Sequence, residues 1–265
     1  MKTTNRFFAA FIIMLLLFST SIISAQDDEK RPMYYTVTTM YWDSDSDMSM
    51  DDWKAGEKEY MEKVTSKNEH ISGAWYYTHL LTPNSNEVLY VQGYPSWEAI
   101  DLSGARSAEL EKEAWPEEEA RKSFLKKMGS AYADFHSDEI YAILPGAKVV
   151  SEELSDDAIL YIRKNKRAFP EDGTMEELRD FSKRMVENVI NKNDYLKGYY
   201  PCQHAWGSDR RDFIQAFMLD SMDDLSKMFD KNRELMKEAF SKEEGKSMGK
   251  YFKSHGDYIY AIVKL

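Results

Sequence analysis

The chain has 265 residues, 43% of them hydrophobic and 14% aromatic, with a formal net charge of −11. That composition supplies a globular core, while so acidic a surface excludes nucleic acid as a partner and disfavours anionic lipid. The single cysteine, Cys202, excludes an internal disulfide.

Residues 1–25 read as an export signal. Lys2 and Arg6 precede the apolar run "FFAAFIIMLLLF", and Ala25 closes "STSIISA"; this is the layout of a secretory signal, with an apolar part too short to favour a membrane span. Cleavage before Gln26 is expected to leave a periplasmic or secreted protein with no membrane insertion. Ile23 departs from the small-x-small rule, and an uncleaved anchor is the alternative. Cys202 lies far downstream, so the signal has no cysteine to carry a lipid.

From there the chain is written twice. Under a shift of 125 residues Tyr34–Thr38 falls on Ile159–Arg163, Lys67-Asn68 on Lys192-Asn193, Gly73 on Gly198 and His79 on His204. "ELEKEA" (109–114) falls on "ELMKEA" (234–239), and after a loss of about six residues "HSDEIYAI" (136–143) matches "HGDYIYAI" (255–262). A period this long is a domain duplication rather than a solenoid repeat. The modules span 26–147 and 148–265.

Each module spells the same elements in order. "MYYTVTTMYW" and "AILYIRK" are β-branched and aromatic, hence strands. Trp53, Tyr60, Met61 and Val64 form one helical stripe, and Leu178, Phe181, Met185 and Val189 form its counterpart behind an N-cap at Thr174. Hairpins follow around "TPNSN" and "GSDR". A second helix starts near Trp97 and near Met222. Pro116 interrupts the first copy, and Ser241 with Glu244 makes a capping box that restarts the second. The repeated His-x-Asp strand closes each module, and "PGAKVVSEELSDD" reads as a polar linker.

The order β-α-β-β-α-β, twice, is the ferredoxin-like split βαβ arrangement, so the fold class is α+β. A sheet with both helices on one face leaves the other bare, and two such sheets can cover each other. On element order and duplication, residues 33–265 resemble the dimeric α/β-barrel superfamily, with both halves fused into one chain that needs no further oligomer. The resemblance implies an intramolecular barrel. It leaves the activity open, because the superfamily includes small monooxygenases, haem-binding enzymes, polyketide cyclases and proteins of no known activity.

Strand alternation then nominates a site. Trp75, Tyr77 and His79 share one face, as do Tyr200, Cys202 and His204. On the next strands Gln92 and Gln215 lie on the more polar faces, which are taken as the barrel interior, and Leu89, Val91, Ile214 and Ala216 as the surface under the helices. By the same logic Tyr161 and Arg163 face inward, and Arg163 favours a carboxylate or phenolate on the ligand. An aromatic cavity with a few polar groups suits a small-molecule ligand; filling of the barrel by these rings is the structural alternative. His136 and His255 precede strands and can pair locally with Asp138 and Asp257. The fused-barrel resemblance further implies that His79 lies near Tyr260 and His255, and His204 near Tyr141 and His136, so that histidine with tyrosine could move a proton at neutral pH.

Weaker signals carry less. "DSDSDMSMDD" lacks the glycine and final glutamate of a calcium loop, and Cys202 with His204 is too few donors for zinc. No metal site is expected and no cofactor is required, with haem on one of the four paired histidines as the alternative. The functions in view are a binding protein for a small apolar or aromatic molecule, an enzyme without a metal that uses His79 or His204 with a tyrosine for acid–base or monooxygenase-like chemistry, a haem protein and an interaction module.

Overall fold

The computed structural model describes residues 32–265; the expected signal and its cleavage point lie outside them. Eight strands run β1 Tyr34–Tyr41, β2 Gly73–Leu81, β3 Glu87–Tyr94, β4 Ser137–Ile143, β5 Ile159–Arg167, β6 Gly198–Trp206, β7 Asp212–Leu219 and β8 Phe252–Ile262. Between them lie helices α1 Met50–Lys63, α2 Trp97–Ala114, α3 Glu118–Gly129, α4 Met175–Met185, α5 Met222–Ala239 and α6 Lys242–Met248. Each module is thus β-α-β-β-α-α-β, with the second helix split in two. Pro116 separates α2 from α3. In the second copy Ser241 opens α6: its hydroxyl accepts the Glu244 N–H, and the Glu244 carboxylate accepts the Ser241 N–H in return.

The strands close into one barrel in the order β1-β3-β2-β8-β5-β7-β6-β4. The first module contributes β2-β3-β1-β4 and the second β6-β7-β5-β8. They join edge to edge, at β4–β6 with Tyr141 opposite His204 and at β2–β8 with His79 opposite Tyr260. Closure removes the four free edges that two open sheets would carry. Every neighbouring pair is antiparallel. The C-terminal ends of β1, β2, β5 and β6 therefore open at the same end as the N-terminal ends of the other four.

Helices cover the outside. In module one Trp53 of α1 and Met128 of α3 pack on Tyr76 and Val88. In module two Met228 of α5 and Ile190 pack on Tyr161 and Phe217. One buried asparagine per module ties the loop after the first helix to the second helix: Asn68 Nδ2 donates to the Ser103 carbonyl at 2.9 Å, and Asn193 Nδ2 to the Met228 carbonyl at 3.0 Å. The segment between modules departs from the expected polar linker. Val150 and Leu154 fold inward onto the interior cluster of Leu160 and Met218, closing the barrel end opposite the β1 C-terminus, because those apolar side chains need cover there.

Candidate functional site

The barrel encloses a cavity of about 720 Å³, within the range of small-molecule sites. Its wall is mostly apolar. Val37, Leu89, Val91, Ile162, Ile214 and Ala216 face it, together with Trp75, Tyr77, Tyr200 and Cys202. The polar lining comes from one end: Glu87 at the start of β3, Asp138 and Glu139 at the start of β4, and Lys164 late in β5. The cavity is therefore amphipathic along its length, charged at the open end and apolar toward Val150 and Leu154.

This corrects the assignment of faces. Gln92, Gln215, Tyr161 and Arg163 do not line the cavity; they lie on the outer faces of their strands. Residues directly opposite on antiparallel strands share a face, and the register sets Trp75 against Val91 and Tyr77 against Leu89. Leu89 and Val91 must then point inward with the aromatics of β2. The space under the helices is the more polar one because its polar groups are satisfied there: Gln215 Nε2 donates to the Tyr199 hydroxyl at 3.0 Å, and the Tyr94 hydroxyl donates to Gln92 Oε1 at 3.1 Å. Arg163 Nε donates to Asp257 Oδ1 at 2.9 Å, and the Tyr161 hydroxyl donates to the same oxygen. The guanidinium is thus already neutralised outside the barrel.

The paired histidines flank the open end without lining the cavity. A register shift between His79 and Leu81 turns the end of β2, and His79 Nδ1 lies 2.8 Å from Thr82 Oγ1 in the following turn. His204 Nε2 donates to the Gly207 carbonyl at 3.3 Å, holding the tight β6–β7 turn, where Gly207 has a φ of +134°. His136 and His255 sit on Asp138 and Asp257 at 3.1 and 3.3 Å.

The tyrosines do enter. The Tyr260 hydroxyl donates to Glu87 Oε1 at 2.5 Å, and the Tyr141 hydroxyl to Glu139 Oε2 at 2.6 Å. Burial first, and the hydrogen bond to a carboxylate second, push both phenols far above their ordinary pKa, so each is a proton donor and not a phenolate at neutral pH. Lys164 Nζ reaches across the barrel to Glu139 at 3.4 Å and meets Asp212 at 2.8 Å. Glu87, Glu139, Lys164 and Asp212 were not singled out from sequence. Glu87 and Asp212 do fall in register under the 125-residue shift, one acid at the same strand position in each copy, and that was the available signal.

Haem with a histidine axial ligand does not fit the cavity, since no histidine faces it. Between sheet and helices, side chains of the two modules' core clusters pack on one another. Among the described residues no three His, Cys, Asp or Glu side chains converge as metal ligands do. Cys202 does line the wall, but burial pushes its thiol up to about 12, which keeps it protonated.

No family model and no curated protein matches the chain. Solved structures do. A protein described as a putative monooxygenase from Fusobacterium nucleatum is 11% identical with a TM-score of 0.57, covering 88% of this chain and 94% of its own. Another so described, from Lactobacillus acidophilus, is 8% identical with a TM-score of 0.55, covering 87% and 94%. A chlorite dismutase from Candidatus Nitrospira defluvii, in complex with imidazole, is 12% identical with a TM-score of 0.53, covering 91% and 95%. The likeness extends over nearly the whole of each chain and establishes the fold: a ferredoxin-like α/β barrel of two fused modules.

Proposed function

We propose that the chain is an exported protein that holds one small amphipathic molecule inside the barrel, its apolar body among Trp75, Tyr77, Leu89 and Ile162 and its polar group toward Glu87 and Glu139. The observation that carries this reading is the division of the cavity wall, apolar at the linker end and charged at the open end, since a barrel built only for stability gains nothing from carboxylates in its lumen. Export rests on the layout of residues 1–25, with Lys2 and Arg6 ahead of the apolar run.

A second reading makes the site an enzyme that moves a proton to or from the bound molecule. The two tyrosine–carboxylate pairs favour it: the carboxylate is the base, and the neutral phenol orients it and supplies a hydrogen bond to the developing charge. Monooxygenase-like chemistry on an aromatic or carbonyl substrate is compatible with this arrangement, and proteins described as monooxygenases share the fold.

The test uses the neutral fluorescent probe N-phenyl-naphthylamine. Ala216 faces the cavity from the middle of β7, so Ala216→Phe fills it, at a stability cost of about 1–3 kcal/mol. The wild type should bind the probe and the variant, once shown to be folded by circular dichroism, should not. Equal affinity for both refutes occupation of the barrel.

A further inference from the structure

The duplication lets each half of the barrel serve as a reference for the other. Tyr41 lies opposite Glu87 as Lys166 lies opposite Asp212, and Thr39 lies opposite Leu89 as Lys164 lies opposite Ile214. Thr39, Tyr41 and Glu87 are therefore the structural equivalents of Lys164, Lys166 and Asp212.

The same acidic position is treated in two ways. Asp212 is buried and paired with two lysines, Lys164 at 2.8 Å from one oxygen and Lys166 on the other. Glu87 has a threonine and a tyrosine where those lysines stand. Its Oε1 accepts the Tyr260 hydroxyl, and among the described residues no cation pairs with it. It is half-buried and lines the cavity beside Tyr41, Tyr258 and Tyr260.

A carboxylate withdrawn from water beside aromatic rings is unfavourable until a positive charge joins it. The lumen supplies none. Its charged lining is Glu87, Asp138 and Glu139 against Lys164 alone, and Lys164 is already held by Glu139 and Asp212. An anionic ligand would be repelled here. A cation would be drawn in, and the negative faces of tyrosine rings would add to the attraction.

We infer that the cavity takes an organic cation, an amine or quaternary ammonium with an apolar body, whose charged head pairs with Glu87 among Tyr41, Tyr258 and Tyr260. This rests on the reading of the barrel interior as the ligand site and names the class of molecule it accepts. It reverses the preference for carboxylates or phenolates that an inward Arg163 would have given.

The test compares three probes of one shape by titration calorimetry: phenylbutylamine, phenylbutanol and phenylbutyrate. The amine should bind the wild type at least about tenfold more tightly than the alcohol, a difference of about 1.4 kcal/mol, and the carboxylate most weakly. Glu87→Gln keeps the acceptor for Tyr260 and should erase the amine's advantage over the alcohol. Thr39→Lys, which copies into the first module the lysine of the second, should do the same. If phenylbutyrate binds as well as the amine, or if the amine's advantage survives both substitutions, the inference is overturned while the cavity reading stands. If none of the three binds, the cavity reading falls and this inference with it.

Discussion

Asn193 and Asn68 offer a direct test of how the modules are held together. Asn193 has no exposed surface and Asn68 only 2%. Each makes three hydrogen bonds in the same pattern. Asn193 Nδ2 donates to the Met228 carbonyl and to Asn232 Oδ1 at 3.0 and 2.8 Å, and its Oδ1 accepts the Tyr195 N–H at 3.0 Å. Asn68 serves the Ser103 carbonyl, Ser107 Oγ and the His70 N–H at 2.9, 2.9 and 3.1 Å. At about 1 kcal/mol net for each bond, Asn→Ala at either site should cost about 3 kcal/mol. For a chain of this length that lowers Tm by roughly 6–12 °C. The sites lie in different modules and share no partner, so the double variant should lose about 6 kcal/mol, enough to bring a typical domain near its unfolding threshold. Urea unfolding with linear extrapolation measures each loss. Asn191→Ala, at an exposed neighbouring position, is the control and should stay within about 0.5 kcal/mol of wild type. Indistinguishable behaviour of Asn193→Ala and Asn191→Ala would refute the reasoning.

Two other expectations follow from buried groups. Burial holds the Glu57 carboxyl above its ordinary range, against the opposing hydrogen bonds from Tyr76, Tyr132 and Trp53. A raised native pKa stabilises below the unfolded value and is lost as pH rises through the native one, so the stability of wild type relative to Glu57→Gln should fall as pH rises from about 4; a difference that is flat with pH contradicts this. The Cys202 thiol, pushed up to about 12 by burial, should resist iodoacetamide in the native protein at about pH 8 and react once the chain is unfolded, and rapid alkylation of the folded protein would show the wall to be open at that point.

The architecture was legible because duplication is a property of the whole chain and survives local ambiguity. Element order, the break at Pro116 and the capping box at Ser241 all carry their physics in neighbouring residues. The pairings His79–Tyr260 and His204–Tyr141 followed from the fused-barrel resemblance. The direction of each strand's faces did not follow, because polarity was taken to mark the interior. Gln92 and Gln215 are polar but satisfied beneath helices, whereas the lumen is walled by Leu89, Val91 and Ile214. Had the hairpin register been counted back from "TPNSN", Tyr77 would have met Val91; the observed partner is Leu89, two residues away, and since an even offset keeps every side chain on its face the faces would have been set correctly. Lys164 was hidden for another reason. Its partner Asp212 lies on β7, the neighbouring strand of the same sheet, but Glu139 lies on β4 of the other module, and only closure of the barrel brings that charge to it.

The place of β8 in the barrel has a consequence for how the protein is made. The last strand is the one that seals the first module: Phe252–Ile262 lies between β5 and β2, and the Tyr260–Glu87 contact joins residues 173 apart. As the chain emerges, the first module is complete in sequence long before its β2 edge and its apolar concave face find their cover. Such long-range pairing is slow, and exposed edges invite association with other chains in the interval. Truncation is therefore not graded. A chain that stops short of residue 252 has all the helices of both modules and most of the cavity wall, yet it leaves β2 and β5 unpaired toward each other and the lumen open along its side.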